Sequence, residues 1–183
     1  MAASPVSTPP PIIEVEQVAK SYRQEAAVEG ISFAIAAGEV FGLLGPDGAG
    51  KSTLIQILAG VLLPSSGRVQ VAGFDVVKDP EAIKARIGYM PQGLGLNLYD
   101  SLSVEENIDF FGDLREVPAD VFAENKAELL GITRLAPFRD RPAAQLSGGM
   151  RQKLALCCTL IHLPQIIFLD EPTTGVDPIS RRD

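Results

Sequence analysis

The chain has 183 residues, a net charge of −7 and 46% hydrophobic residues. This length favours one domain with a sizeable core, and an acidic chain without a basic run argues against nucleic acid as a partner. No apolar stretch has the length of a membrane span, and the N-terminus lacks a signal-peptide pattern. We therefore expect a cytoplasmic protein, peripheral on the membrane through a membrane-protein partner.

The chain begins with a proline-rich segment and continues into strands. Residues 1–11 contain four prolines, which predicts a disordered tail. Strands are predicted over residues 12–18 and 31–36. A turn at Ala37-Gly38 then leads into residues 39–44, a mostly apolar run that is typical of a buried parallel strand.

Residues 45–53 read Gly-Pro-Asp-Gly-Ala-Gly-Lys-Ser-Thr, which matches the phosphate-binding loop pattern. Glycines let backbone N–H groups surround phosphate oxygens, a lysine reaches the β- and γ-phosphates, and a serine hydroxyl can ligate Mg²⁺. The helix predicted over residues 52–59 would point its N-terminus at the anion. The alternative is a glycine turn that binds nothing. The residues assigned to nucleotide binding are Gly45, Pro46, Asp47, Gly48, Ala49, Gly50, Lys51, Ser52 and Thr53, with the acidic side chain of Asp47 expected to point outward.

Helices and strands alternate through the rest of the chain, which indicates an α/β fold with an antiparallel β portion early and a helical insert in the middle. The two cysteines, Cys157 and Cys158, are adjacent in a predicted helix, so we expect buried thiols and no disulfide between them. The predicted elements are a hairpin over residues 68–77, strands over 87–90 and 166–169, and helices over 80–86, 103–114, 119–130 and 148–162.

The last predicted strand ends in two acids, Asp170 and Glu171. Ligands bind at the carboxyl edge of open α/β sheets. Asp170 would bind the Mg²⁺ shell there, and Glu171 could polarise an attacking water. The alternative is a buried strand that ends in two solvated carboxylates.

Several other stretches carry a family resemblance. Leu146-Ser147-Gly148-Gly149-Met150-Arg151-Gln152 resembles the ABC signature motif, and Thr174-Gly175-Val176-Asp177-Pro178 resembles the D-loop. Gln92 resembles the Q-loop glutamine, and Tyr22 sits where ABC domains place an aromatic residue against adenine. From about residue 12 to its last residue, the chain resembles the ATP-binding cassette (ABC) domain, and within that superfamily the ABC-2 type exporter ATPases, including multidrug ones.

The resemblance implies a P-loop NTPase fold with an antiparallel β subdomain, one ABC domain over residues 12–183, and a helical subdomain at about 98–160. It implies ATP and Mg²⁺ as cofactors, with Ser52, Gln92 and Asp170 at the metal and Glu171 and Gln92 as catalytic residues. Gln92 alone would be an ordinary loop residue, and Tyr22 an exposed tyrosine at a strand end.

The resemblance also implies a second ABC domain, either in a homodimer or in a tandem cassette. Ser147, Gly148, Gly149 and Asp177 would meet the nucleotide held by that partner, since a helix N-terminus suits a γ-phosphate. A serine N-cap without a ligand is the alternative for Ser147. A membrane permease would be the other partner, and it would select the transported substrate.

ABC domains carry a switch histidine on the strand after the D-loop, whereas the sole histidine of this chain is His162, before Asp170. We favour a structural role for His162 near a helix C-terminus. The expectation is a domain truncated after the D-loop that lacks the usual C-terminal strands. The function implied is an ATPase that energises an exporter through ATP-driven dimerisation; the alternative is a truncated fragment that binds nucleotide without hydrolysing it.

Overall fold

Two units make up the chain in the computed structural model, residues 1–84 and 85–183, and the structure describes residues 10–23, 25–93 and 97–172. The predicted tail therefore lies almost wholly outside the described residues. The D-loop at residues 174–178 also lies outside them, because the last described residue is Pro172. Each unit has its own sheet.

The sheet of the first unit is antiparallel, with strand order β2–β1–β3–β4. Side chains of β1 and β3 that stand opposite one another are buried, as in the pairs Ile13 with Val71 and Val15 with Val69. Such cross-strand apolar pairs fix the register of a sheet with one buried face. The predicted antiparallel portion is confirmed, with bounds Pro11–Tyr22 (β1), Glu25–Ala36 (β2), Ser66–Val71 (β3) and Phe74–Asp75 (β4).

Two helices complete the first unit, α1 (Lys51–Leu58) and α2 (Pro80–Lys84). The predicted apolar face of α1 is buried, and Ile57 is buried beside it. Gly60 ends the helix as predicted, because its φ of +66° is left-handed and its N–H donates to the carbonyl of Ile57 at 3.0 Å.

The prediction of a parallel strand over residues 39–44 is wrong. These residues form no strand, and Val40 and Leu44 are 98% and 97% exposed. A strand is held by ladder hydrogen bonds to a neighbour, and none of the strands in the described ranges pairs with this run. The preceding turn is present, with the Ala36 N–H donating to the Glu39 carboxylate at 2.9 Å.

The second unit is built on two parallel strands, β5 (Ile87–Met90) and β6 (Ile166–Leu169). Their register runs from Ile87 opposite Ile166 to Met90 opposite Leu169. A Cβ at Gly88 would lie 2.8 Å from the carbonyl oxygen of Thr159, so only glycine lets this strand pack so closely on the neighbouring helix.

Three helices accompany the parallel pair, α3 (Val104–Leu114), α4 (Ala119–Ile132) and α5 (Gly148–Leu160), with short 3₁₀ turns at Ala136–Phe138 and Ala143–Gln145. The helix α5 packs on β5, and both α3 and α4 pack on α5. α4 continues through Gly131, where the sequence predicted its end, and stops at Thr133, whose hydroxyl donates to the Leu129 carbonyl at 2.6 Å. The helices enclose an apolar core of Val104, Ile108, Leu130, Leu135, Leu146, Leu154, Cys157, Cys158 and Ile161.

Both cysteines are buried free thiols in that core, which confirms the expectation. Burial raises the pKa of the Cys157 and Cys158 thiols, so both are protonated at neutral pH. Within the described ranges, none of the helices combines the length and apolar character needed to cross a bilayer.

A capping box starts α3. The Ser103 hydroxyl accepts from the Glu106 N–H at 3.1 Å, and the Glu106 carboxylate accepts from the Ser103 N–H at 2.7 Å. These bonds satisfy two donors that the helix itself cannot satisfy. They also lower the pKa of the Glu106 carboxyl, with the backbone bond as the larger cause.

We expect Ser103→Ala to lower the free energy of unfolding by about 1 kcal/mol, because it removes the cap oxygen. In a chain of this size the melting temperature should fall by about 2–4 °C. The control is Ser103→Thr, which keeps the hydroxyl. Equal losses for the two variants in thermal unfolding would contradict a capping role.

Candidate functional site

The phosphate loop of the first unit wraps around the ammonium of its own lysine. Lys51 Nζ donates to the carbonyl oxygens of Gly45 at 2.9 Å and Pro46 at 2.8 Å, and the Ala49 N–H donates to Pro46 at 3.2 Å. The loop itself is exposed, including Asp47. An exposed loop closed around a cation is suited to an incoming anion.

Glycine geometry shapes the end of this loop. Gly50 is the N-cap of α1, has a φ of +79°, and gives the helix no side-chain cap. Because the N-cap is a glycine, it brings no side chain to the first turn of α1, where helices that bind phosphate offer backbone N–H groups to the anion. A Cβ at Gly50 would collide with the carbonyl oxygen of Ala27 and lie 3.2 Å from Val28 Cγ2.

Tyr22 lies at the end of β1, near the segment of β2 that approaches Gly50 of the phosphate loop. It pairs with Glu25 at the β1–β2 turn, two residues from Ala27. The residue is 48% exposed, and Lys20 Nζ lies over its ring, 5.3 Å from the centroid. An exposed aromatic face beside a cation is available for stacking on a base.

The second unit brings the predicted Q-loop glutamine to the predicted catalytic acid. Gln92 Nε2 donates to Glu171 Oε2 at 2.8 Å, although the residues are 79 positions apart in sequence. The parallel register produces this contact, because Gln92 follows β5 and Glu171 follows β6 at the same edge.

Asp170 continues the ladder, with its N–H donating to the Met90 carbonyl at 3.0 Å, and only 3% of the residue is exposed. Attraction between a carboxylate and a cation is stronger at low dielectric, so a buried acid at this edge is suited to a metal ion. The described residues contain no cluster of three or more His, Cys, Asp or Glu side chains that would itself hold a metal. A cation here would therefore need oxygen ligands from other groups, such as phosphate and water.

The signature segment forms the start of α5. Ser147 is the N-cap, and its hydroxyl accepts from the Met150 N–H at 3.3 Å. Arg151 Nη1 anchors the first turn to the Ala143 carbonyl at 2.9 Å and to the Asp100 carboxylate at 2.7 Å. Ser147 is exposed and Gly148 and Gly149 are partly exposed, which fits both a ligand site and a plain helix cap. Asp177 lies outside the described residues.

His162 has a structural contact. Its Nε2 lies 3.1 Å from the Ile87 carbonyl oxygen, just beyond the end of α5. Burial lowers the pKa of His162, the bond to Ile87 opposes this, and the Arg115 charge adds to the lowering. The ring is therefore neutral at pH 7 and does not act as a helix-terminal cation.

Sequence reasoning gave no role to Gln152. Its side chain is 7% exposed, and its Nε2 donates to the carbonyl of Pro172 at 2.7 Å. Its position on the buried face of the predicted helix over residues 148–162 could have indicated such a contact, because a buried amide needs hydrogen-bond partners.

Comparison with known proteins identifies relatives of this arrangement. The family model described as ABC transporter matches residues 28–174. A probable multidrug ABC transporter ATP-binding protein, YbhF of Escherichia coli K12, is 52% identical over 157 residues, covering 86% of this chain and 27% of that protein. The Nod factor export ATP-binding protein I of Ralstonia nicotianae is 39% identical, covering 93% of this chain and 53% of that protein.

The daunorubicin resistance ATP-binding protein DrrA3 of Streptomyces coeruleorubidus is 40% identical, covering 93% of this chain and 54% of that protein. The chain thus spans between about a quarter and about half of the length of these curated relatives.

Solved structures agree on the fold. The ATP-binding subunit of an ABC transporter superimposes with a TM-score of 0.83 at 27% identity, covering 93% of this chain and 70% of that one. A dimeric ATP-binding cassette, MJ0796 bound to ADP and Pi, gives a TM-score of 0.81 at 25% identity, covering 93% and 78%. The predicted P-loop NTPase fold of the ABC type is confirmed.

We expect Gly50→Ala to weaken the binding of a fluorescent ATP analogue and to lower the free energy of unfolding by about 3 kcal/mol, because the new Cβ meets backbone and strains φ. Gly48→Ala is the matched control. Its φ is +81°, yet a Cβ there meets nothing within 4 Å, so only the conformational strain of about 1–2 kcal/mol applies. Equal losses of stability in the two variants would contradict the steric argument.

Proposed function

The chain belongs to the ABC transporter family, and we propose that it binds MgATP and hydrolyses it to energise a membrane exporter. The observation that carries the proposal is the contact of Gln92 with Glu171, beside buried Asp170 at the end of two parallel strands. This edge supplies an acid for water activation and a second acid for a metal.

In this proposal the loop at residues 45–53 binds the phosphates. Lys51 exchanges its bonds to the Gly45 and Pro46 carbonyls for bonds to phosphate oxygens, which are stronger because both the donor and the acceptor then carry charge. Ser52 ligates Mg²⁺, and Tyr22 stacks on the adenine ring. The exposure of the loop and of the Tyr22 ring supports these roles.

Hydrolysis requires a base and a metal. Glu171 takes a proton from the attacking water, Gln92 orients that water or the metal shell, and Asp170 holds the Mg²⁺ shell. Gln92 supports the role of Glu171 directly, because its amide donates to one carboxylate oxygen and thereby orients the carboxylate at this edge.

Dimerisation is the third part of the proposal. Ser147, Gly148, Gly149 and Asp177 would meet the nucleotide bound by a second ABC domain. The partly exposed N-terminus of α5 supports this role, since helix N-termini attract anions. The similar cassette MJ0796 is described as a dimer in its ADP and Pi state.

The names of the relatives support an exporter. They are described as multidrug, Nod factor export and daunorubicin resistance ATP-binding proteins. We infer a membrane permease as the partner that selects the substrate, with this chain at the cytoplasmic face of the membrane.

The second candidate is nucleotide binding without hydrolysis. It is favoured by residues 39–44, which precede the phosphate loop without joining any strand of the described ranges. A loop entered by an unpaired segment is held less rigidly than one entered by a buried strand, and catalysis demands more exact positioning than binding does.

We expect Glu171→Gln to slow ATP turnover by about 10²- to 10⁴-fold, because the amide cannot accept the proton. ATP binding should be retained, since the amide can still accept from Gln92. The control is Glu128→Gln, another glutamate of the second unit. Phosphate release gives turnover, and the rise in melting temperature with MgATP gives binding.

Three results distinguish the candidates. Turnover that falls only in Glu171→Gln supports the ATPase. A melting temperature raised by MgATP without any turnover supports the nucleotide-binding alternative. No effect of MgATP on the melting temperature would contradict both.

A further inference from the structure

A second amide reaches the catalytic edge of the second unit, from the signature helix. Gln152 lies in the second turn of α5, is 7% exposed, and donates from Nε2 to the Pro172 carbonyl at 2.7 Å. A carbonyl oxygen can only accept, so this contact requires the NH₂ group of Gln152. Pro172 is the residue directly after Glu171.

The backbone at Glu171 needs such an anchor. Its φ is +48°, in the left-handed region that a residue with a side chain rarely occupies. Such a conformation persists only where its surroundings hold it. Gln92 holds the Glu171 side chain, and Gln152 holds the chain one residue further on.

The Gln152 amide is not an optimal choice for stability. Its Oε1 is buried and has no hydrogen-bond partner among residues 10–23, 25–93 and 97–172. A buried acceptor without a partner is unfavourable, and an apolar side chain of the same size would avoid that loss. The contact with Pro172 therefore explains the presence of an amide at this position better than the stability of the core does.

We propose that Gln152 is a positioning residue that sets the place of Glu171 by holding the Glu171-Pro172 segment on the signature helix. The inference rests on the proposed ATPase function. Because Ser147 is the N-cap of α5, a shift of this helix on binding phosphate at its N-terminus would be passed through Gln152 to the backbone beside the catalytic acid. In this proposal Gln152 acts on catalysis only through Glu171 and is not itself a catalytic residue.

The test compares Gln152→Leu with Asn125→Leu. Asn125 is a matched control, because it is also a 7% exposed amide of the second unit and donates from Nδ2 to a backbone carbonyl, that of Ile161, at 3.0 Å. Its acceptor, Ile161, lies at the end of α5 and not in the Glu171-Pro172 segment. The readouts are kcat and KM for MgATP and the melting temperature.

For Gln152→Leu we expect kcat to fall about 10- to 100-fold, as for a small displacement of a reacting group. KM should change by less than about twofold, since ground-state binding is untouched, and the melting temperature should stay the same or rise. Asn125→Leu should keep kcat and KM and change only the melting temperature. A Gln152→Leu protein with normal kcat, or with losses confined to stability, would overturn the proposal.

A double-mutant cycle tests whether Gln152 acts through Glu171. In the Glu171→Gln background, Gln152→Leu should lower kcat no further, whereas additive losses would overturn the inference. If Glu171→Gln alone has no effect, the proposed function fails first. Should Gln152→Leu not fold, Gln152→Met serves in its place, since it is unbranched, similar in size and lacks the donor.

Discussion

The parallel pairing of β5 and β6 is the constraint on which the second unit depends. It aligns Met90 with Leu169, so the residues that follow each strand emerge at one edge. Gln92 and Glu171 meet there without any local sequence relation between them. The strands can approach α5 closely because Gly88 has no side chain to hold them apart.

Both apolar packing and ion pairs hold the helices of the second unit together. The core of α3, α4 and α5 is apolar, while Lys126 of α4 bridges to Glu105 of α3 at 2.6 Å and to Asp109. Burial lowers the pKa of Lys126, but the two acids outweigh it and raise the pKa overall. Partly buried pairs of this kind fix the relative placement of helices more than they add stability.

Local signals in the sequence were sufficient for most elements. Ser103 with Glu106 predicted a capped helix and Gly60 a helix end, and both are confirmed because each depends on residues close in sequence. Residues 39–44 were mispredicted, because an apolar run becomes a strand only where another strand pairs with it. The sequence predicts a helix end at Gly131, yet its φ is not left-handed and α4 continues through it.

The contacts among the candidate site residues could not be predicted from the sequence. Several motif residues could be named only from their resemblance to a known family, whereas the bond from Gln152 to Pro172 spans 20 positions and depends on how α5 lies against the segment that follows β6. The left-handed φ of Glu171 likewise has no sequence signal, since glutamate rarely adopts it.

The bonds of Lys51 to its own loop have a thermodynamic consequence. Its flexible side chain is already ordered, with its ammonium held by the Gly45 and Pro46 carbonyls. Ordering a free lysine costs about 1.5–2 kcal/mol of side-chain entropy, and here that ordering accompanies folding instead of association. An arriving phosphate therefore exchanges one set of hydrogen bonds for another, so association there should be governed by enthalpy and by salt concentration more than by loss of side-chain freedom.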